Sequence, residues 1–367
     1  MSNLKISPGI MDISPYKGGK STISGKNNAP IIKLSSNENA LGASPKAVQA
    51  YIAAANNLSR YPDGYSSVLR DEIANINNLD ARNIICGAGS DELIALICSS
   101  YASIGDEILF SEHGFLMYRI STLKAGAVPV TAKEVDLTFN VDNILAKISD
   151  RTRIIFIANP NNPTGSYINR AELHRLRESL PSDILLVIDG AYSEYVLNDD
   201  YSDGTELVDN YDNVIVTRTF SKIYGLAALR LGWAYANENI IDILNRVRGP
   251  FNVSAAAQNA GLAAILDTEF TDTSIHHNIM SLKFLTGELK KLGFKYHPTV
   301  GNFILIDFAD IAGQTANDAN EFLLSQNIIV RSVTNYQLPN SLRISVGTEQ
   351  ENTQLIQALG QFKEHFS

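Results

Sequence analysis

Cysteine is scarce: the 367 residues include only Cys86 and Cys98. One falls in a segment patterned as a buried strand and the other in an amphipathic helix, so no disulfide framework or thiolate metal spacing is present. A reducing, cytoplasmic setting fits. Basic charge is also short: 30 Lys and Arg against 39 Asp and Glu leave a formal net charge of -9. That lacks the positive footprint that nucleic acid or an anionic membrane needs in a partner. Nowhere do 18 apolar residues run together, and Met1 to Ile10 holds no long apolar stretch with a small-residue cleavage site. Membrane spanning and secretion are both disfavoured. His113, His174, His276, His277, His297 and His365 show no paired spacing with carboxylates, so no metal is expected. Internal repeats and low-complexity tracts are missing as well.

What remains is an ordinary globular composition, 45% hydrophobic and 19% charged, in a chain long enough for a large domain and a smaller one. From about Asn83 to Tyr235, short β-branched runs alternate with amphipathic stretches. The runs are Ile84–Cys86, Ile108–Phe110, Val128–Val130, Ile154–Ile157, Ile184–Ile188, Val214–Val216 and Gly232–Tyr235. Several are apolar without period-2 alternation, the mark of strands covered on both faces. The expectation is an α/β fold, a three-layer α/β/α sandwich on a mostly parallel sheet. Ser44-Pro45 reads as a helix N-cap with proline at the first position, and Asn169 with Glu172 as a capping-box-like start. Beyond Asp267 a long helix (273–292), strands at 303–308, 328–330 and 342–346, and helices at 316–325 and 351–362 suit a smaller α+β domain. The expected divisions are an extended arm over 1–30, rich in Gly and Pro, a large domain over 31–266, and a small domain over 267–367 that packs with the N-terminal segment.

In open α/β sheets, ligands gather beyond the carboxyl ends of the strands. Four such ends are chemically loaded. Gly87-Ala88-Gly89-Ser90-Asp91 opens a helix whose free N–H groups can hold a phosphate, although such turns also occur without a ligand. Asn159-Pro160-Asn161-Asn162-Pro163-Thr164-Gly165 can present a side-chain amide, or serve as a plain turn. Asp189 can pair with a protonated pyridine nitrogen, or cap a helix. The fourth end leads into Thr219-Phe220-Ser221-Lys222, where an amine able to form a Schiff base lies between hydroxyls, with Arg230 eight positions on as a phosphate clamp.

At these residues the chain resembles the fold type I pyridoxal-phosphate aminotransferases, and more narrowly the histidinol-phosphate aminotransferase family. The narrower resemblance rests on 36–45 (SNENALGASP), Arg60-Tyr61-Pro62-Asp63-Gly64, Gly-Ser-Asp-Glu at 89–92, the Asn-Pro motif at 159–165, Arg218 to Lys222, and 342–348 (LRISVGT). It spans nearly the whole chain. It implies pyridoxal 5'-phosphate as cofactor, with Lys222 as its amine partner, Asp189 on the ring nitrogen, and Asn162 and Tyr192 on the ring oxygen. It also implies Phe115 stacked on the ring, and the phosphate held by Ser90, Asp91, Thr219, Ser221 and Arg230 together with Tyr61 from a second subunit of a homodimer. The reaction it implies is transfer of the amino group of histidinol phosphate to 2-oxoglutarate, giving glutamate. Substrate contacts would come from Arg331, Arg343, Tyr16 and Asn39.

Two positions depart from the family pattern: Gly190 where relatives carry Glu, and Ala228 where many carry Gly. Phe115 replaces the usual Tyr. Alternatives on the same framework are an aromatic amino acid aminotransferase and a threonine-phosphate decarboxylase, and, from another class, a non-catalytic cofactor-binding regulator.

Overall fold

A computed structural model describes residues 5–16, 18, 19, 22, 30–309, 311 and 313–365. Part of the arm expected over 1–30, including Gly25, lies outside them. The described part is not simply extended: Ile10–Asp12 forms a 3-10 turn, and Gly9 packs so closely on the chain that an added Cβ would sit 2.7 Å from the Leu123 carbonyl oxygen.

In chain order come β1 (Ile32–Lys33), α1 (Pro45–Ala54), α2 (Ser67–Asn77), β2 (Ile84–Gly87), α3 (Ser90–Tyr101), β3 (Glu107–Ser111), α4 (Leu116–Lys124), β4 (Val128–Ala132) and α5 (Val141–Leu145). Next are β5 (Thr152–Ala158), α6 (Arg170–Ser179), β6 (Leu185–Asp189), α7 (Thr205–Asn210), β7 (Val214–Thr219), β8 (Gly232–Ala236), α8 (Glu238–Val247), α9 (Ala255–Ile265) and α10 (Thr268–Lys291). The chain closes with β9 (Lys295–His297), β10 (Phe303–Asp307), α11 (Ala316–Ser325), β11 (Ile328–Ile329), β12 (Arg331–Ser332), β13 (Ser341–Ser345) and α12 (Glu349–His365).

The large sheet has the order β2-β8-β7-β6-β5-β3-β4. All of its strands run parallel except β8, which lies antiparallel between β7 and β2. Its strands read as unbroken apolar runs because successive residues enter two different cores. Ile155, Ile157, Leu186, Ile188, Val214 and Val216 face one helical layer, while Ile154, Phe156, Leu185, Val187 and Ile215 face the other. Burying both faces is what makes the three-layer arrangement stable. The expected caps form: Ser44 accepts from the Lys46 and Ala47 amides ahead of Pro45, and Asn169 accepts from the Glu172 amide.

The C-terminal unit carries a four-stranded sheet, β12-β13-β10-β9, over a core that includes Leu285, Ile304, Leu323, Ile344 and Leu359. One difference from the sequence expectation arises here. The strand read as 328–330 is split: β11 pairs in parallel with β1, and after Val330 the chain changes partner so that β12 pairs with β13. Leu34, the residue after β1, is built into the C-terminal core. A two-residue strand is too short for periodicity to reveal its partner. Among the described residues, no helix is long and apolar enough to cross a membrane.

Candidate active site

The carboxyl ends of β5, β6 and β7 and the start of α3 open onto one cavity of about 330 Å³. Ser90, Asp91, Phe115, Asn162, Asp189, Tyr192, Thr219, Ser221, Lys222 and Arg230 line it, as do Tyr16, Arg331 and Arg343. Most of the residues singled out from sequence are thus brought together; Asn39 and Tyr61 are not among those lining it.

Lys222 lies in a turn after β7, where its Nζ donates to the Ser36 carbonyl at 3.2 Å and stands 5.7 Å from the centre of the Tyr192 ring. Burial, aided by Arg343, pushes its ammonium down to about 8. The amine therefore reaches its neutral, nucleophilic form far more readily than a surface lysine.

Asp189 ends β6 and is 4% exposed. Its Oδ2 accepts from the Tyr118 hydroxyl at 2.8 Å, while Oδ1 is buried with no hydrogen-bond partner. Burial raises the carboxyl to about 6, against the pull of the Tyr118 hydrogen bond. A buried carboxylate oxygen without a donor, in a side chain lining a cavity, fits a cationic N–H as its ligand.

The amide of Asn162 is oriented by Arg343, whose Nη1 donates to Oδ1. A guanidinium can only donate, so the oxygen must face it and the NH2 end is left for a ligand. Tyr192 is arranged in a similar way: its hydroxyl accepts from Asn37 Nδ2 at 2.9 Å. Asn37 Oδ1 is held by the Ser345 hydroxyl at 2.9 Å, which fixes the amide's direction. The Tyr192 proton is then available to donate. Both groups are donors suited to one anionic oxygen.

At the start of α3, Gly89 has φ +84°, and a Cβ there would lie 2.4 Å from Arg230 Nη2. Only glycine lets the arginine lie against the helix terminus. Arg230 also donates to Ser221 Oγ at 3.3 Å and to Asp91 Oδ2 at 3.1 Å. The Asp91 carboxylate would repel a phosphate, so its contribution to such a ligand is its main-chain N–H.

Arg331 and Arg343 are direct cross-strand partners on β12 and β13 and are 7% and 5% exposed. Tyr16 lies 5.9 Å from the Arg331 guanidinium, ring face inward. Asn39 sits one layer back, donating to the Ile223 carbonyl and to Ser274 Oγ. Asn37, in the same motif, takes the cavity position instead. Tyr61 is 82% exposed and stacked on Phe251 at 4.5 Å.

The sequence reading missed Tyr118, Asn37 and the Ser36 carbonyl. Of these, only Tyr118 carried a local signal, an aromatic in the first turn of the helix that follows Phe115. At Gly190, a Cβ would meet Ser193 Oγ at 2.5 Å and Arg218 Cδ at 2.9 Å. The buried Arg218 pairs with Glu194 at 3.0 Å and Asp203 at 2.8 Å.

A profile of the family described as aminotransferase class I and II matches residues 29–359. The histidinol-phosphate aminotransferase of Paramagnetospirillum magneticum is 55% identical over 97% of both chains. That of Maricaulis maris is 53% identical over 96% of this chain and 97% of its own. The histidinol-phosphate aminotransferase of Sinorhizobium meliloti, solved in complex with pyridoxal-5'-phosphate, shares the fold with a TM-score of 0.91. It is 24% identical, covering 100% of this chain and 99% of that one.

Proposed function

Since the chain belongs to the aminotransferase class I and II family, we propose that it transfers the amino group of L-histidinol phosphate to 2-oxoglutarate, giving imidazole acetol phosphate and L-glutamate, with pyridoxal 5'-phosphate as cofactor. The residues fit that group. Asp189 Oδ1 lacks a donor, Asn162 and Tyr192 offer two, and the start of α3 with Ser221 and Arg230 forms an anion cradle. When bound, the cofactor supplies an electron sink for a carbanion at the substrate Cα. Lys222 Nζ, depressed to about 8, would take the Cα proton and hold it within the cavity. Asp189 would keep a cationic ring nitrogen charged.

The observation that carries the substrate assignment is the arginine pair. Two guanidinium groups directly opposite one another repel, and burial with the neighbouring Arg331 holds Arg343 below its ordinary range. A phosphate ester dianion at their end of the cavity would offset that cost, and the α-carboxylate of glutamate could use the same donors. Arg331→Ala should therefore weaken histidinol phosphate more than glutamate, raising kcat/KM losses to about a hundredfold for the ester but far less for the amino acid. Equal losses would assign Arg331 a structural role. Steady-state rates with histidinol phosphate, phenylalanine and threonine phosphate test the whole reading, which requires the first to dominate.

The same reading includes a cytoplasmic homodimer. Tyr51, Ile52, Leu58, Tyr61 and Val68, all within the stretch from α1 to the start of α2, are exposed, apolar side chains suited to burial against a second copy. Tyr61 would then reach the partner's phosphate cradle. Mixing inactive Lys222→Ala with Tyr61→Ala subunits should restore activity to about a quarter of the parent, because half of randomly paired dimers regain one complete site. No gain on mixing would remove Tyr61 from the partner's site.

A further inference from the structure

Tyr118 is held more firmly than its place in α4 requires. It is 1% exposed, its ring stacks on Phe156 at 4.6 Å and 10°, and it meets Phe110 and Phe115 edge-on at 6.0 and 5.8 Å. The only acceptor its hydroxyl proton reaches in these contacts is Asp189 Oδ2, at 2.8 Å. A phenol buried this deeply stays protonated, its pKa raised well above the usual value by burial and by Asp189 itself, so it acts as a fixed donor.

We propose that Tyr118 is a positioning residue: it ties down one oxygen of the Asp189 carboxylate, keeping that side chain in a single orientation and charge state and reserving Oδ1 for the ligand. This rests on the proposed function in one respect, that the ligand of Oδ1 is the cofactor's ring nitrogen. The same ring braces Phe115, so one side chain supports two walls of the cavity.

The groups that face Asp189 act in opposite directions. Tyr118 from α4, the Ala191 amide and Thr217 from β7 favour its ionised form, and Asp91 from α3 opposes it. Lys222 and Tyr192 line the same cavity. A carboxyl whose folded pKa is raised from 3.8 to about 6 favours folding when protonated and loses that contribution as pH rises through 6. Removing the Tyr118 hydroxyl raises the folded pKa further, so the variant must lose more as pH climbs.

The test compares Tyr118→Phe, Asp189→Asn and the double variant, first without cofactor. The gap in urea midpoint between parent and Tyr118→Phe should widen from pH 5.5 to 8 and should stay flat in the Asp189→Asn background. With pyridoxal phosphate added, the Kd should rise about tenfold at pH 7.5 for Tyr118→Phe. The acid limb of the affinity profile should move up by about one pH unit. A stability gap constant with pH, with an unmoved acid limb, would reduce Tyr118 to packing and overturn the proposal. If the parent fails to bind pyridoxal phosphate, the cofactor reading falls, while the cofactor-free comparison still decides the role of Tyr118.

Discussion

Lys222→Ala is expected to lower turnover by about four orders of magnitude, the upper end of what a positioned general base contributes. The substitution removes the only lysine that lines the cavity among the described residues and with it both the amine that would anchor the cofactor and the group that would move the Cα proton. Asp189, Tyr192 and the cradle at Gly89 and Arg230 stay in place, so cofactor affinity should fall much less than kcat. In the parent protein, borohydride should fix the cofactor to the peptide containing Lys222. Turnover at the parental rate in the variant, or label on another peptide, would sink the assignment.

The second large effect is structural and arises three residues later. The turn that carries Lys222 closes with the Gly225 amide donating to the Lys222 carbonyl at 3.0 Å, and Gly225 has φ +67°. A Cβ there would lie 2.0 Å from the Gly42 carbonyl oxygen and 2.6 Å from its carbon. Both are backbone atoms, so no side chain can swing aside. Gly225→Ala combines left-handed strain, about 1–3 kcal/mol, with overpacking of similar size. We expect a loss of about 3 kcal/mol in urea denaturation, with reduced activity as the Lys222 turn shifts. Gly287→Ala is the control: it lies inside α10 with nothing within 4 Å of an added Cβ, and should leave stability unchanged or raise it by up to about 1 kcal/mol. An unchanged midpoint for Gly225→Ala would refute the clash.

These two glycines illustrate how unevenly the site could be read from sequence. The strands of the large sheet were legible because burial on both faces leaves continuous apolar runs, and the rule that ligands sit beyond strand ends turned those runs into a short set of candidates. Asp189, Asn162, Ser90 and Lys222 follow from it. Strand order did not: nothing in Gly232-Trp233-Ala234-Tyr235 says that β8 slips antiparallel between β7 and β2. Nor could local pattern separate Asn37 from Asn39, since both are short amides in one motif and their partners lie far along the chain. Tyr118 shows the same gap from another side. Its ring obeys the rule that aromatics on a helix's inner face are core, while its hydroxyl answers to a carboxylate 71 positions away.

The pairing of β1 with β11, and the Asn37 main-chain N–H donating to Ser345 Oγ across 308 positions of sequence, also bear on how the molecule is made. During synthesis the segment around Ile32 leaves the ribosome long before Ile328 exists to receive it. The large sheet can form early from neighbouring strands, but the stretch from Ser35 to Asn37, which holds Lys222, Tyr192 and Arg343, must wait for the last strands to be delivered. Contacts of such long range close slowly, so full-length chains should acquire their secondary structure well before they become competent to bind ligand.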